Sequence, residues 1–494
     1  MNFKDLYVLL HLRMDNLKEK TAKGLFWGAV NNGTIQVLNL LIGIIVLRQL
    51  TPEDNGLIGM LAIFSAIAGN LQSSGFSTAL INEKRPTSQQ YNSVFWFNIL
   101  MSAALYVILF LAAPLIAHFF HQPRLTDLSR VLFLSFFISS FGISTNAYML
   151  KNLMNREITI VNIIALVASG ATAIIMALNG MAYWSLAWQQ IVNATMLVLG
   201  RFYFVKWKPS FSFSFDYIRQ TFSFSMKILI TMVINTVNQN LLTVIFGWLF
   251  RDARVVGNFF QAYKWDSMAF QTVGGMVGQV AQPVLVSVRE ERDRELQVFR
   301  KMLRFTAFLS FPALFGLALV ANEFILCTIG QEWVDCVPLL QILCISGAFM
   351  PMYTLYQNLV ISHGRSDVNM WLNMGQVVLQ LAIILAFYRQ GITVMVVAYT
   401  AFNILWLCAW QSFVCRIIGL RFIYAAKDIL PFMLCSAAVM ALTWLLTKSV
   451  CNLYMLFAVR VLVACILYYC VMRLLNVVIL NECLQFIRKR NDKA

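Results

Sequence analysis

The sequence predicts an all-helical protein that crosses a membrane many times. Of its 494 residues, 60% are hydrophobic and only 12% are charged, whereas soluble globular chains carry roughly 25% charged residues. We count about 14 apolar runs long enough to cross a hydrocarbon core of roughly 30 Å as helices. A six-helix pattern also occurs twice along the chain. The predicted fold is therefore an all-α polytopic membrane protein with two homologous six-helix lobes in the same orientation, followed by two C-terminal helices.

The apolar runs follow one another with short connections, which leave no room for a soluble catalytic domain. Their approximate bounds are 24–48, 57–81, 93–120, 128–150, 158–178, 182–204, 225–249, 256–281, 302–322, 335–361, 368–388, 392–415, 429–447 and 453–475. The predicted segments are an interfacial N-terminal segment (1–23), a first lobe (24–208), an interfacial linker (209–224), a second lobe (225–416), helices 13 and 14 (417–476) and a basic cytoplasmic tail (477–494).

The first predicted helix has no charged residue from Gly24 to Leu47, but it is not uniformly apolar. Its polar and small residues recur at i, i+4, i+7 and i+11, and therefore share one face. These residues are Asn32, Gln36, Asn39 and Gly43. Lipid does not solvate amide side chains, so this face is predicted to line a protein interior or a watery cavity.

The same stretch recurs about 200 residues later, and this recurrence defines the two copies. The second helix carries its polar residues on one face as well, at Thr231, Asn235, Asn238 and Gln239. Leu249–Asp252 stands where Leu50–Glu53 stood, and Gly257 follows as Gly56 did. Each copy has an even number of helices, so both enter from the same side. An axis along the membrane normal should relate them, with a site near the midplane between them.

The distribution of basic residues predicts the orientation. Most of the 38 Lys and Arg residues fall in loops on one side, which the positive-inside rule assigns to the cytoplasm together with both termini. The net charge of +16 is explained in this way without a nucleic-acid partner. The N-terminus lacks a signal-peptide pattern, and Met14 offers an alternative start to Met1.

Three further helices carry polar stripes. The stripe of helix 8 comprises Gly257, Gln261, Lys264, Met268, Gln271, Gly275, Gly278 and Gln282. Helix 11 has Asn369, Asn373, Gln376 and Gln380, and helix 2 has Asn70, Ser74 and Ser77. Such residues also bind membrane helices to one another, but stripes on corresponding helices of two repeats favour a shared, hydrated cavity.

Two basic residues are candidates for that cavity. A cation inside the bilayer is costly and usually has a partner or a ligand. Lys264 points along the stripe of helix 8, and Arg48 lies at the end of helix 1, where snorkelling to the interface is the alternative. Arg201 and Arg460 are weaker candidates.

The acidic residues provide no clear candidate for the cavity. Asp266 faces away from the stripe of helix 8 and is interpreted as a partner for a neighbouring helix or an interfacial charge. Glu323 and Asp335 flank an outer loop and are expected to be solvated. The sequence therefore reveals no proton- or sodium-coupling site.

No motif indicates catalysis, a metal or a cofactor. The chain has no Gly-x-x-x-x-Gly-Lys-[Ser/Thr] phosphate loop. The ten cysteines form no Cys-x-x-Cys pair and are interpreted as small apolar residues. His118 and His121 have no acidic neighbours in the sequence that would complete a metal site.

Several motifs resemble one known family. The turn Leu50–Leu57 is similar to the Leu-[Thr/Ser]-Pro-Glu-Asp-[aromatic/Asn]-Gly turn of the polysaccharide-transport branch of the multidrug/oligosaccharidyl-lipid/polysaccharide flippase superfamily. Other similar stretches are Lys20–Trp27, Gly257 with Tyr263 and Lys264, and Gly180 with Trp184–Leu186. The resemblance covers residues 18–480 and is closest to lipopolysaccharide and colanic-acid-type exporters. Asn55 and Asn258 replace residues that are often aromatic in the family, a minor departure.

The resemblance implies a flippase of the bacterial inner membrane. It would move an undecaprenyl-diphosphate-linked oligosaccharide to the outer leaflet by alternating access, as a monomer, with membrane lipids around it and polysaccharide polymerases or ligases as possible partners. Lys264 and Arg48 would meet the diphosphate, and amides would meet the glycan. The amides are Asn32, Gln36, Asn39, Asn235, Gln239, Gln261, Gln271, Asn373 and Gln376.

Three alternatives stay open. A cation-coupled drug antiporter of the same superfamily would need a buried acid. A membrane polysaccharide ligase or polymerase would need a large outer loop with Arg, His or Asp clusters. A channel would not need the repeat. The glycan, the energy source and the oligomeric state do not follow from the sequence.

Overall fold

The computed structural model describes residues 33–73, 75–83, 86–477 and 479–482. Within these ranges the chain forms α-helices and short 3-10 turns and no strand, which confirms the all-helical prediction. The N-terminal segment 1–23 and most of the basic tail lie outside the described residues.

Seventeen α-helices occur in the described part of the chain. They are α1 (Gly33–Leu47), α2 (Pro52–Ser73), α3 (Gly75–Asn82), α4 (Ser88–Phe120), α5 (Leu125–Ser140), α6 (Ile143–Lys151), α7 (Asn155–Leu178), α8 (Tyr183–Phe204), α9 (Phe215–Phe250), α10 (Ala253–Val288), α11 (Arg292–Thr328), α12 (Cys336–Gly347), α13 (Met350–Ser362), α14 (Ser366–Ala386), α15 (Ile392–Ile418), α16 (Phe422–Thr447) and α17 (Leu453–Leu474).

These helices account for the predicted membrane crossings. The second, fourth and tenth apolar runs each correspond to two consecutive helices, so the seventeen helices make fourteen stretches. By length and composition, eight stretches among the described residues qualify as membrane spans, or nine with the α5–α6 pair, which is bent by 43°. The chain is therefore a multi-pass membrane protein. The long helix α10 is too polar to qualify, as expected of a helix with a polar face. In α9 the part from Asn240 to Phe250 is an apolar helix.

The chain divides into two compact units, one ending at Gly257 and one beginning at Asn258. The first unit contains α1–α9 and the first turn of α10. The two predicted six-helix lobes divide the chain one helix earlier, between 208 and 225, and that division stays a prediction.

In the first unit, α1 packs against a face of small residues on α7. Ile42 and Val46 of α1 meet Leu166, Ala173 and Ala177 in one apolar cluster. A side chain at Gly170 would collide with Ile42, so the small residues allow the two helices to approach closely. The helix α7 packs in turn along α8.

The predicted interfacial linker is held against α4. The Asn92 amide donates hydrogen bonds to the hydroxyls of Ser210 (2.6 Å) and Ser212 (2.7 Å), and the ring of Trp96 stacks on Phe211 at 5.0 Å. Only 209–214 forms a connection, because α9 already begins at Phe215. Phe211 is 89% exposed, as expected of an aromatic side chain at a membrane interface.

The second unit is built around α11. This 37-residue helix packs against α12, α16 and α17. Arg300 of α11 forms an ion pair with the buried Asp428 of α16 at 2.7 Å. A second ion pair joins Glu323 of α11 to Arg460 of α17 at 2.8 Å. Charged residues that the sequence alone could not pair thus fix these three helices to one another.

Candidate functional site

The turn between α1 and α2 is a helix cap. Thr51 is the residue before α2, and its hydroxyl accepts a hydrogen bond from the Asp54 backbone N–H at 3.3 Å. The Asp54 carboxylate accepts in return from the Thr51 N–H (3.0 Å) and hydroxyl (2.8 Å). Pro52 takes the first helical position, where its missing N–H costs nothing. The motif that carries the family resemblance is therefore a reciprocal cap.

Two glycines of the repeat bring α2 and the first turn of α10 into backbone contact. A Cβ atom at Gly56 would overlap the Ala253 carbonyl, and a Cβ atom at Gly257 would overlap the Pro52 carbonyl. Each glycine thus meets the carbonyl of the residue four positions before the other glycine. Any other residue at either position would force the two backbones apart.

The same end of the first unit is tied by polar contacts. Arg124 forms an ion pair with Glu53 of the capping turn at 3.1 Å. Gln122 donates a hydrogen bond to the Arg251 carbonyl at 3.2 Å. These contacts surround the glycine crossing with side chains from the loop after α4.

On α1, the described members of the predicted cavity face are accessible. Gln36 and Asn39 are exposed, and Arg48 is exposed in the turn after α1. Asn32 lies outside the described residues. Exposed amides on a membrane helix are not compatible with contact to lipid tails, so a wet environment for Gln36 and Asn39 remains the prediction.

On α9, the predicted residues can be placed only by their backbone. Asn235 and Gln239 lie within the helix, but their side chains are outside the described part of the structure. Nearby, the Asn70 amide of α2 donates to the Thr236 hydroxyl and to the Met232 carbonyl of α9. One member of the predicted stripe on helix 2 thus joins two helices.

The polar stripe predicted for helix 8 lies on α10, and most of its residues are accessible. Lys264, Gln271, Gly275 and Gln282 are exposed, whereas Gln261 is fully buried. The exposed members recur every seven or four residues and therefore share one side of the helix. Glue between helices of the same unit would be buried, so the exposure of these residues favours the hydrated interpretation.

The polar stripe predicted for helix 11 lies on α14, and most of its residues contact neighbouring helices. The side-chain amides of Gln376 (3.0 Å) and Gln380 (2.7 Å) both donate to the side-chain oxygen Oδ1 of Asn403 on α15, and all three residues are buried. Asn373 is half-buried and accepts a hydrogen bond from Gln357 at 3.4 Å. In this structure Gln376 therefore acts between helices, and a role for it in the cavity stays a prediction.

The weaker candidate cations are structural. Arg201 is half-buried and donates to the Gly142 carbonyl at 3.2 Å. Arg460 is 8% exposed and binds Glu323. The prediction that Glu323 is solvated is wrong, because its side chain is buried in this ion pair. Asp335 is exposed as predicted.

Sequence reasoning also underrated Asp266. Its side chain is 3% exposed and lies against Gly347 of α12, so it is not an interfacial charge. It does meet a neighbouring helix, but as a buried acid, which the sequence interpretation found nowhere in the chain. Spacing alone gave no signal for it, because Asp266 lies off the polar stripe.

An apolar groove of about 770 Å³ lies in the second unit. Four of its lining residues come from α10, on the side opposite Lys264 and Gln271: Met276, Val277, Val280 and Val284. At its edge, Lys301 forms an ion pair with Glu482 at 2.8 Å. The helix α10 thus has an accessible polar side and an apolar groove on the other.

Metal chemistry finds no support in the described residues. They contain no group of three or more His, Cys, Asp or Glu side chains arranged to hold a metal ion. The rings of His118 and His121 stack on each other at 5.9 Å beside the end of α4.

Comparison with protein families gives one match. The sequence profile of a family described as "Polysaccharide biosynthesis protein" matches residues 45–338, which is more than half of the chain. The match includes the capping turn, the glycine crossing and the whole of α10.

Three curated relatives are similar over about three quarters of the chain. The lipopolysaccharide biosynthesis protein WzxC of Escherichia coli (strain K12) is 25% identical, with 73% of each chain covered. The teichuronic acid biosynthesis protein TuaB of Bacillus subtilis (strain 168) is 23% identical over 74% of this chain and 76% of its own. The succinoglycan biosynthesis transport protein ExoT of Rhizobium meliloti (strain 1021) is 23% identical over 79% and 77%.

Two solved structures share the fold. The lipid II flippase MurJ, in an inward closed conformation, superposes with a TM-score of 0.73 at 14% identity, covering 91% of this chain and 99% of that one. An inward-facing multidrug resistance MATE family transporter of the MOP superfamily gives 0.61 at 15% identity, covering 84% and 96%. At these identities the likeness establishes the fold alone.

Proposed function

The chain belongs to the polysaccharide biosynthesis protein family, and we propose that it is a flippase for a lipid-linked oligosaccharide. It transports and does not catalyse a reaction. The relatives WzxC, TuaB and ExoT are named for lipopolysaccharide, teichuronic acid and succinoglycan biosynthesis. These glycans differ, but a flippase for any of them meets the same problem of moving a hydrophilic headgroup on a lipid carrier.

The observation that carries the proposal is the division of α10 into two sides. A lipid-linked oligosaccharide joins a polar glycan to a hydrocarbon chain, so its binding protein needs a wet polar surface and an apolar one. The exposed side with Lys264 and Gln271 suits the headgroup. The apolar groove lined by Val280 and Val284 suits a segment of hydrocarbon chain.

The chemistry of the headgroup assigns roles to the accessible residues. A diphosphate is an anion, so Lys264 would meet it as a point charge and Arg48 as a planar fork with several donors. The glycan needs hydrogen-bond donors and acceptors, which the amides of Gln36, Asn39 and Gln271 supply. No bond is made or broken, so none of these residues is catalytic.

The membrane setting follows from the same proposal. The protein lies in the bacterial inner membrane with both termini in the cytoplasm, as the distribution of basic residues predicts. It moves an undecaprenyl-diphosphate-linked unit to the outer leaflet by alternating access of its two six-helix repeats. It works as a monomer, and polysaccharide polymerases or ligases receive its product.

One observation favours a second candidate, a cation-coupled drug antiporter. Such a protein needs a buried acid, and Asp266 is one. The two functions differ in their substrate, and a buried acid serves either. Transport of an amphipathic cation without transport of any lipid-linked glycan would select the antiporter.

The test is a flipping assay on the purified protein in liposomes with a fluorescent polyprenyl-diphosphate oligosaccharide. Wild type is compared with Lys264→Ala, Arg48→Ala and the control Lys206→Ala, which removes an exposed lysine of the loop after α8. We expect transport by wild type and the control, and about tenfold slower transport by Lys264→Ala, because about 1.4 kcal/mol of charge-assisted binding is lost.

The outcomes separate the function from the site. Transport unaffected by Lys264→Ala and Arg48→Ala leaves the flippase standing and removes these residues from the site. Absence of transport by folded wild type, with several glycans and ion gradients, contradicts the flippase proposal itself.

A further inference from the structure

Among the described residues of the second unit, four carboxylate side chains are almost completely buried, and one of them differs from the rest. Glu295 lies 2.8 Å from the His363 ring, Glu323 lies 2.8 Å from Arg460, and Asp428 lies 2.7 Å from Arg300. Asp266, only 3% exposed, has no Lys, Arg or His partner within 4.0 Å among the described residues.

The carboxyl group of Asp266 is held tightly between α10 and α12. It occupies the space that a Cβ atom at Gly347 would need. The Cys344 thiol, one turn earlier on α12, faces the carboxyl group. One carboxyl oxygen, Oδ1, has no hydrogen-bond partner in the described part of the chain.

The titratable groups that face Asp266 from its own helix α10 and from α12 and α15 supply no positive charge. They are the phenol of Tyr263 on α10, the thiol of Cys344 on α12 and the phenol of Tyr399 on α15. On α11, Phe324 touches Trp265 at 5.1 Å, but the adjacent Glu323 is neutralised by Arg460. Lys264 follows Tyr263 on α10, and its side chain is exposed on the other side of the helix.

An ionised carboxylate in this place would be a buried charge without a counter-charge. Such a charge is expensive, and a carboxyl group in this situation takes up a proton and becomes neutral. A neutral carboxyl group can also donate a hydrogen bond, which a carboxylate cannot. The close packing against Gly347 thus favours the protonated form.

We propose that Asp266 is a proton-binding site, which holds a proton while packed against Gly347 and releases it when α10 and α12 separate. The step is an acid dissociation: the O–H bond breaks, water accepts the proton, and the electron pair stays on the carboxylate. Only the separated state admits the water that stabilises the charge. A proton therefore favours the packed state, and a pH difference across the membrane biases the conformational equilibrium.

The experiment detects the proton on the carboxyl group by infrared spectroscopy of the purified protein in lipid. The carbonyl stretch of a protonated carboxyl group is distinct from that of a carboxylate. Wild type is compared with Asp266→Asn, which keeps the shape and neutrality of the protonated acid, and with Asp335→Asn, which alters an exposed acid. We expect the band at neutral pH in wild type and in Asp335→Asn, and its loss in Asp266→Asn.

A second variant tests the packing. Gly347→Ala adds a Cβ atom where the carboxyl group lies, so the group must move out of this packing and the band should shift or disappear. Gly316→Ala on α11 is the control, because its nearest atom would be the flexible Met440 methyl at 3.7 Å. Identical spectra for wild type, Asp266→Asn and Gly347→Ala would overturn the proposal. No substrate is used, so this result is independent of the flippase assay.

Discussion

The turns that precede α2 and α10 lie 201 residues apart, and they cap the helices that follow them in two different ways. In the structure Thr51 directly precedes α2 and Asp252 directly precedes α10, so the turns match two positions later than the sequence alignment of Leu50–Glu53 with Leu249–Asp252 predicted. Each residue caps its helix: Thr51 accepts from the Asp54 N–H at 3.3 Å, and Asp252 accepts from the Arg254 N–H at 2.8 Å. Within the part of the chain that the structure describes, only the first turn has a return bond to the capping residue. The second is entered through Arg251, whose φ is 54°.

The difference shows which features of the repeat are under geometric constraint. Capping requires only a side-chain oxygen, so threonine and aspartate are interchangeable. The crossing of the two helices requires the absence of a side chain, so glycine stands at both Gly56 and Gly257. Because each glycine meets the carbonyl four residues before the other, the contact is reciprocal, and one substitution disrupts both halves of it.

The largest predicted effect tests that reciprocity. In Gly56→Ala or Gly257→Ala the added methyl group overlaps a backbone carbonyl, which cannot rotate away as a side chain can. We expect each variant to lower the free energy of unfolding by about 3 kcal/mol or more, and the double variant to lose much less than the sum, since the contact is already broken. Thermal unfolding in detergent measures both.

Matched glycines on the same two helices are the controls. A Cβ atom at Gly69 of α2 or at Gly275 of α10 would meet nothing within 4 Å, and alanine is the better helix former. Gly69→Ala and Gly275→Ala should be neutral or stabilising. If Gly56→Ala behaves like Gly69→Ala, the close crossing does not exist in solution.

The sequence predicted the fold well because hydrophobic runs and repeats are local signals. The polar helix α10 was predicted from its length and from the repeat, although it is not apolar enough to qualify as a membrane span. Three of the predicted runs are two helices each, because a short break such as the one between Ser140 and Ile143 leaves no mark in hydropathy.

The site was less predictable than the fold because the burial of a side chain depends on which residues of neighbouring helices lie against it. The stripes of α10 and α14 have the same spacing, yet Gln271 is exposed while Gln376 is bonded to Asn403. Likewise Asp266 and Glu323 are both buried acids, and only one has a cation within reach. The partners of Gln376 and Glu323 lie on other helices. The pattern of polar and apolar residues within one helix therefore does not predict which side chains find such a partner.

The caps are predicted to have an intermediate effect. Thr51→Ala removes the two hydrogen bonds of the Thr51 hydroxyl with Asp54 and leaves the one from the backbone N–H, so it should cost about 1–2 kcal/mol. Asp252→Ala removes one bond and should cost about 1 kcal/mol. Thr51→Ser and Asp252→Asn keep a capping oxygen and should restore most of the loss. Thermal unfolding of the four variants measures this, and rescue variants no more stable than the alanine variants would contradict the capping interpretation.

The smallest predicted effect concerns charge, where the two turns differ most. Glu53 pairs with Arg124 at 3.1 Å, but both side chains are at least half exposed, and the equivalent position in the second turn is Arg254. A repeat that exchanges a negative for a positive charge does not depend on either. Glu53→Gln should therefore lower the free energy of unfolding by at most about 0.5 kcal/mol, because water screens an exposed pair.

Salt sharpens this last comparison. At about 1 M salt the screening length falls to roughly 3 Å, so the small difference between Glu53→Gln and wild type should vanish, whereas the loss in Thr51→Ala should persist. Asp127→Asn, which removes the exposed partner of Arg130, serves as the control for general charge effects. A loss in Glu53→Gln as large as that in Thr51→Ala, and insensitive to salt, would mean that the first turn depends on its charge and that the two turns are not equivalent.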